Sequence, residues 1–509
     1  MRALISAYDK TGLGEFARGL DELGCELVAS GGTAAFLESE GLSVTRVEEL
    51  TEVPELLGGR VKTLHPRIHA GVLARRGLDD DLAQLAEHEI EPFDLVCVNL
   101  YPFEEVAGRE GAGDDEVIEM IDIGGPALLR GAAKNHSWVT AVCRPEDYED
   151  VLRELRARGG ETSLDTRRRL AGIAFAATAA YEAAIAAWFQ RDETFPVSVT
   201  LALEKVADLP YGENPHQEAA YYRLRGGRAH LLSGEEQLQG KELSFNNLND
   251  LAAARGVLAE LEAPACVIVK HANPCGVGVA ETIAEAYAKG LSADPVSAYG
   301  GVVVLNRPVS GALGEALADQ FVEVLHAPSF EEHAREVLSR RPATRVLAGG
   351  EERLDADKWD FRHVPGGLLA QEGDWHLQED RLEVACGELD DATREDLLFA
   401  WRVVKHVTSN AIVVAKDGRT LGIGAGQMSR VDAVRIALDK ARELGHDLDG
   451  AALASDAFFP FADGPELALA AGVRSFIQPG GSKRDVEVIE AVSRAGAAMV
   501  LTRRRHFRH

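Results

Sequence analysis

Apolar runs in the first 145 residues recur at intervals that a helix can fill, and this alternation constrains the fold more than any other feature of the chain. Ala3 to Ala7, Glu26 to Ala29, Leu95 to Leu100 and Val139 to Cys143 read as strands, while Gly14 to Leu23 and Pro145 to Arg156 read as helices. Such alternation predicts an α/β domain, a parallel sheet with helices on both faces. Ligands then belong at the carboxyl ends of the strands.

The chain continues to 509 residues, too many for one ordinary core, and a length prior gives about two to four domains. Residues 164–190 read as a long Ala-rich helix with little polar surface after Arg169, which suggests burial between domains or subunits. Residues 191–210 change character and contain two prolines. The division is placed there, giving domains 1–195, with its linker helix, and 196–509. From about Tyr211 the chain is again mixed α/β. CVIVKHANPCGVGVA and NAIVVAKDGRTLGIGAGQMSR each pass from a β-rich run through a turn into close glycines. An internal duplication gives that wording, and so does any strand followed by a Gly turn. The charged region 331–360 reads as a surface excursion.

A net charge of −28 opposes association with nucleic acid or an anionic membrane. With no signal peptide pattern and no run of about twenty apolar residues, the expectation is a soluble cytoplasmic protein. Six scattered cysteines without a C-x-x-C pair read as reduced thiols. The one basic run, Arg503 to His509, is either a solvated tail or a ligand contact.

Ser30-Gly31-Gly32-Thr33 follows a strand and opens a helical pattern, where glycine amides, two hydroxyls and the helix N-terminus suit a phosphate. A plain turn with Thr33 as cap fits the fragment equally. Gly58-Gly59-Arg60-Val61-Lys62-Thr63 sets two cations and a hydroxyl beside flexible glycines and favours an anion site. His65 and His69 have helical metal-ligand spacing, but Pro66 argues against a regular helix there. Asn99 to Phe103, Ile121 to Pro126 and Lys134 add acid/base and hydrogen-bonding groups at strand and helix ends. In VIVKHANPCGVGVA, Lys270 and His271 end an apolar run. Mid-strand neighbours point to opposite faces, so these two can share a site only if the chain bends, and Asn273-Pro274 is the expected bend.

ALISAYDKTGL, VASGGTAAFL, LGGRVKTLHPRIHAG, NLYPF, IDIGGPALLRGAAKNH, YGENPHQ, KHANPCGVG, SNAIVVAKDG, GIGAGQMSR and SDAFFPF occur in this order along nearly the whole chain. Together they resemble the bifunctional purine-biosynthesis family that joins 5-aminoimidazole-4-carboxamide ribonucleotide (AICAR) formyltransferase to IMP cyclohydrolase. The resemblance implies a methylglyoxal-synthase-like parallel-sheet domain followed by a larger domain of two cytidine-deaminase-like α/β units. It also implies a homodimer, 10-formyltetrahydrofolate as co-substrate and no catalytic metal, and it leaves a structural monovalent cation open.

By motif position, Ser30, Gly31, Gly32 and Thr33, with Lys10, Arg60 and Lys62, would hold phosphate in the first domain. Lys62, Thr63, Asn99, Tyr101, Asp122, Ile123, Gly124 and Lys134 would surround the base. Lys134 is the first choice for proton transfer, with Asp122 orienting or sharing the proton and Tyr101 serving the oxyanion. In the second domain His271 would take the proton of the weak 5-amino nucleophile. Lys270 would stabilise the oxyanion or protonate the departing folate nitrogen. Tyr211, Gly300, Glu323, Asn410, Arg430, Phe458 and Arg505 would hold AICAR, with Asn410 near the formyl oxygen. Folate would lie near Met428, Val431, Pro479, Gly481 and Ser482. Two positions depart from the family pattern. Tyr8 stands where Ser is common, and Pro210 where Arg is common, so that either a phosphate contact is missing or another cation, such as Arg223 or Arg225, replaces it. A zinc deaminase needs H-x-E and a later P-C-x-x-C, and His271-Ala272-Asn273 and Pro274-Cys275-Gly276-Val277-Gly278 lack the Glu and the second Cys. A nucleotide-binding regulator on the same folds would need binding groups but not this set of proton-transfer groups.

Overall fold

The computed structural model describes residues 1–54, 56–225, 235–349, 359–375, 377 and 382–509. The chain divides into two compact units, Met1–Glu204 with a short return at Leu224, and the chain from Lys205 to His509. In the first, β1 (Arg2–Ser6), β2 (Glu26–Ala29), β3 (Val44–Arg46), β4 (Leu95–Val98) and β5 (Thr140–Val142) form a sheet in the order β3-β2-β1-β4-β5. Every neighbouring pair is parallel. The connections run through α1 (Leu13–Asp21), α2 (Gly31–Ser39), α3 (Val47–Thr51), α4 (Pro66–Leu73), α5 (Asp79–Glu87), α6 (Phe103–Ala107), α7 (Asp114–Glu119) and α8 (Gly124–Lys134). Two further helices follow, α9 (Tyr148–Ala157) and α10 (Leu164–Phe189). Strand alternation splits the core. Ala3, Ile5, Leu27 and Cys97 pack with Phe16 and Tyr148 on one face, and Leu4, Val28 and Val96 pack with Ile68 and Leu128 on the other. Strands buried on both faces explain the continuous apolar runs.

Two expectations change here. Pro66 is the first residue of α4, where its missing N–H costs nothing, and the His65 imidazole accepts the Arg67 N–H at 3.2 Å as the cap. The helix therefore exists, but among the described residues no group of His, Cys, Asp or Glu could hold a metal. The long helix α10 is, by length and composition, apolar enough to cross a membrane, contrary to the expectation that no segment qualifies. Its many alanines make it apolar while leaving it thin enough to lie against α8, β5 and α6.

In the second unit β6 (Leu203–Leu209) and β7 (Ala219–Leu224) pair as a ribbon at its start. Then follow β8 (Glu236–Gln239), α11 (Phe245–Leu258), β9 (Ala265–Lys270), β10 (Asn273–Val279), α12 (Ile283–Ala293) and α13 (Pro295–Ala298). This half closes with β11 (Gly301–Leu305), α14 (Gly311–Asp319), β12 (Val322–Ala327), α15 (Glu332–Leu338) and β13 (Arg345–Ala348). A ribbon of β14 (Trp359–Val364) and β15 (Gly367–Glu372) intervenes. The series then repeats as β16 (Glu383–Cys386), α16 (Asp391–Val404), β17 (Ile412–Lys416), β18 (Arg419–Gly424), α17 (Arg430–Glu443) and β19 (Ala452–Ser455). It ends with α18 (Asp463–Ala471), β20 (Ser475–Gln478), α19 (Asp485–Arg494) and β21 (Ala498–Leu501). The sheet order β16-β21-β20-β19-β17-β18-β10-β9-β11-β12-β13-β8 reads the same from either end once the halves are matched, and they meet where Gly278 pairs with Arg419.

The duplication extends to single residues. A Cβ on Gly278 would strike the Ala286 carbonyl of α12, and one on Gly424 would strike the Ala433 carbonyl of α17. Left-handed Gly240 and Gly387 abut Arg345 and Ala498 of the adjacent strands in the same way. The Ala265 N–H donates to Asn306 Oδ1 at 2.8 Å, and the Ala411 N–H donates to Asp456 Oδ1 at 3.1 Å. The charged region beyond residue 331 is no simple excursion, since it supplies α15 and the sheet strand β13, with Leu347 buried. Residues 350–358 lie outside the described residues.

The bend at the KHANP motif also differs from expectation. Asn273 and Pro274 already belong to β10 and pair with Lys270 and Val269. The turn is His271-Ala272, with φ of 53° and 58°. A two-residue hairpin with both central residues left-handed matches the twist of the flanking strands, so His271 occupies the tip of the hairpin.

Candidate active sites

The first unit opens a cleft of about 500 Å³ at the carboxyl ends of β1, β2 and β4. Ser30 follows β2 at the N-cap position of α2, and its hydroxyl is buried without a hydrogen-bond partner. Gly31 opens that helix at φ +50°, and a Cβ there would stand 2.8 Å from Lys62 Nζ. A helix N-terminus, an unspent hydroxyl and an ammonium thus converge on one point, which suits an anion. Lys10 lies beside them and donates to the Ala7 carbonyl and to Thr33 Oγ1. Burial, with Lys62 nearby, lowers its pKa.

The opposite wall is the start of α8. Burial pushes the Asp122 carboxyl above the ordinary aspartate range, although the Gly125 N–H, at 2.8 Å, and the Lys62 charge pull it down. Asp122 is held from behind by α10. The Tyr181 hydroxyl accepts the Asp122 N–H at 2.8 Å and donates to the Met120 carbonyl at 2.7 Å. Tyr101 stands at the mouth, with its ring 5.5 Å from that of Tyr8.

In the second unit Lys270 ends β9, and its ammonium donates to the carbonyls of Tyr299 at 2.6 Å and Gly300 at 3.2 Å. An ammonium has three N–H bonds, so one remains for a ligand. Gly300 is left-handed and wedged against Phe321, which aims its carbonyl at the lysine. Asn273 links the hairpin to the second half, accepting the Thr408 N–H at 2.9 Å and donating to the His271 carbonyl. Two residues beyond Thr408, Asn410 donates to the Gln427 carbonyl at 2.8 Å and accepts from Arg430 at 2.7 Å. Arg430 therefore fixes which way the Asn410 amide faces and leaves one amide N–H unspent. Asp456, fully buried, pairs with Arg430 and accepts the Ser409 hydroxyl.

A model of the AICARFT/IMPCHase bienzyme matches residues 132–440, more than half of the chain, and one of the MGS-like domain matches residues 12–127. The bifunctional purine biosynthesis protein PurH of Acidithiobacillus ferrooxidans is 48% identical over 517 aligned positions, covering 100% of this chain and 99% of that protein. The chain belongs to the AICARFT/IMPCHase bienzyme family. Its membership indicates the last two steps of purine biosynthesis and a folate co-substrate. The solved structure of ForH is 40% identical, covering 37% of this chain and 98% of its own, at a TM-score of 0.34, too low to bear on the fold.

Within this bienzyme the cleft of the first unit gathers most residues named from the sequence, among them Lys10, Ser30, Lys62, Thr63, Asp122 and Ile123. Several have other work than expected. Thr33 is buried and gives its hydrogen to the Ala7 carbonyl at 3.0 Å, so it braces β1. The Asn99 amide accepts the Tyr8 and Asp9 N–H groups and donates one N–H to the Asp9 carbonyl, so it shapes the β1 loop and keeps one N–H at the cleft. Arg60 is ion-paired with Glu119. Lys134 is the exposed last residue of α8, about 15 Å along the helix from Gly124, and does not line the cleft.

In the second unit the contacts given above join Lys270 to Gly300 and Asn410 to Arg430, and Asn273 ties the His271 turn to Thr408, two residues before Asn410. Glu323 is the second residue of β12 and is paired with Arg345 at 2.8 Å. The amides of Gly481 and Ser482 donate to the Asp485 carboxylate, Pro479 is buried, and Met428 is fully exposed beside Val431. Tyr211 and Phe458 are exposed, and the Arg505 guanidinium lies 4.5 Å from the Phe507 ring. The terminal run is docked, since His506 is buried and the Ser409 N–H donates to the Arg508 carbonyl. Arg225 pairs with Glu104 at 3.5 Å and is not a spare cation for Pro210. Tyr181 and Asp456 had no legible signal in these roles, because their partners, Met120 and Asp122 for the first and Ser409 and Arg430 for the second, are remote in sequence.

Proposed function

We propose that the first unit performs the cyclohydrolase step and the second the formyl transfer from 10-formyltetrahydrofolate to AICAR. The observation that carries the first assignment is the cleft where Lys62 and the half-buried Asp122 face a free helix N-terminus. Phosphate binds at Ser30, Gly31 and Gly32. The carboxamide nitrogen attacks the formyl carbon and passes one proton to Asp122, whose raised pKa makes it a better base than an exposed aspartate. Lys62 gives the formyl oxygen its proton. The former formamido nitrogen loses the second proton as that oxygen leaves as water. Lys134, outside the cleft, is assigned no step.

In the second unit the AICAR amine attacks the formyl carbon of the folate, and His271 takes the amine proton. The remaining N–H groups of Lys270 and Asn410 receive the developing oxyanion. The folate N10 departs and takes a proton, and the formyl group is transferred. Both schemes run on proton-transfer groups of the chain and need no metal. The exposed apolar rings of α10, Phe175 and Phe189, support a homodimer, and a location in the cytoplasm fits the activity.

The test supplies purified protein with AICAR and 10-formyltetrahydrofolate and follows tetrahydrofolate and IMP separately. Both are expected. His271→Ala should abolish tetrahydrofolate release and leave cyclisation of supplied formyl-AICAR intact. Loss of both activities in a folded His271→Ala protein overturns the division of labour. IMP formed only from supplied formyl-AICAR by the unmodified chain would mean that Pro210 has disabled the transferase.

A further inference from the structure

The His271-Ala272 turn has a counterpart in the other half of the duplicated unit. β17 and β18 are joined by Asp417-Gly418, also left-handed at both residues, with φ of 53° and 65°. Each turn is gripped by an aspartate at the matching place in the preceding helix. From α11, Asp250 accepts the His271 N–H at 3.3 Å and the Ala272 N–H at 2.7 Å. From α16, Asp396 accepts the Asp417 N–H at 2.9 Å and the Gly418 N–H at 3.0 Å.

The two turns differ in how well their residues suit the conformation. Asp-Gly is among the preferred pairs for a turn with both central φ positive, and it adopts the shape unaided. His-Ala is not. Alanine has a Cβ that crowds the left-handed region and no side-chain polar group to offset it. Without its clamp, the His271 turn would relax toward other loop conformations, and the imidazole would leave the tip of the hairpin.

We infer that Asp250 is a positioning residue for formyl transfer, holding His271 in place through the two turn amides. This rests on the reading of His271 as the proton acceptor, and both oxygens of the Asp250 carboxylate are engaged by the turn amides. Asp396 performs the same contact where the turn does not need it, so it serves as the control within the molecule.

The full-length chain is assayed for tetrahydrofolate release, cyclisation of supplied formyl-AICAR and thermal unfolding. Asp250→Ala should lower the kcat of transfer roughly 100-fold, as a displaced catalytic group does, with KM for AICAR changed by less than about threefold and cyclisation unchanged. Asp396→Ala should leave transfer within about threefold of the parent. Adding Ala272→Gly to Asp250→Ala should restore at least about tenfold of the lost kcat, because glycine enters the left-handed turn without the clamp. Asp250→Asn, which keeps one acceptor oxygen, should fall between. Transfer retained in Asp250→Ala, or lost equally in Asp396→Ala, overturns the inference. A rescue that fails while both proteins unfold at the parent temperature overturns it also. His271→Ala is run in parallel. If it retains transfer, the reading of His271 fails and the positioning role falls with it. If it loses transfer while Asp250→Ala does not, only the clamp is wrong.

Discussion

Asp122 is the residue on which the cyclohydrolase proposal most depends, and its chemistry and its effect on stability oppose each other. Burial raises its pKa in the folded chain. Below the ordinary aspartate range both folded and unfolded forms hold the proton, so the group has no effect on stability. As pH rises through the unfolded value toward the raised folded value, the unfolded chain ionises first and stability falls. Above the raised folded value the full destabilisation is present. Asp122→Asn should therefore unfold at a higher temperature than the parent at neutral pH, with the gap closing at acid pH, while kcat for cyclisation falls about 10²- to 10⁴-fold. A lower unfolding temperature at neutral pH would show that the carboxylate is stabilised by its neighbours after all. The sequence made Asp122 and Lys62 legible because each lies in a motif of distinctive wording. It could not show that Thr33, Asn99 and Arg60 are occupied, because their partners, Ala7, the Tyr8-Asp9 backbone and Glu119, are fixed only by the folded sheet.

At the scale of elements, α10 shows how a helix that looks merely apolar supports a site. Tyr181 reaches from its buried face to bridge the Met120 carbonyl and the Asp122 N–H. Tyr181→Phe should cost about 1 kcal/mol of stability and lower cyclisation while leaving formyl transfer unchanged. Equal loss in both activities would mean that the bridge supports the chain and not the site. Gly278 tests the packing of the second unit. Since any Cβ there meets the Ala286 carbonyl, Gly278→Ala should cost about 3 kcal/mol, read from the shift in denaturant midpoint at unchanged slope. The elements themselves were largely legible. Every strand expected in the first 145 residues is present to within a residue or two, whereas the repeated wording of the second unit fitted a duplication and a plain strand-to-Gly turn equally, and the sheet order decides for duplication. The KHANP turn was not, because Asn-Pro is strong turn wording and His-Ala is not. The bend fell on His-Ala because strand pairing, helped by the Asp250 contacts, overrode local preference.

For the whole molecule, a charge of −28 is carried by a chain whose ligands are anionic phosphates, so attraction has to be local. Lys10, Lys62 and the start of α2 supply it in the first unit, and Lys270 supplies it in the second. Each unit has its own sheet and its own buried clusters, and among the described residues no strand is shared between the two sheets. The two steps should then be separable between molecules. His271→Ala retains the cyclohydrolase and Asp122→Asn the transferase, so each alone should form IMP from AICAR at least about 100-fold more slowly than the parent. Mixed, they should restore IMP after a lag, because formyl-AICAR must leave one protein and accumulate before it binds the other. Raising the concentration of the His271→Ala protein should shorten the lag without changing the final rate, which the transferase sets. Tetrahydrofolate release without IMP in the mixture would show that the intermediate does not reach a second molecule, and that the two units work only on the same chain.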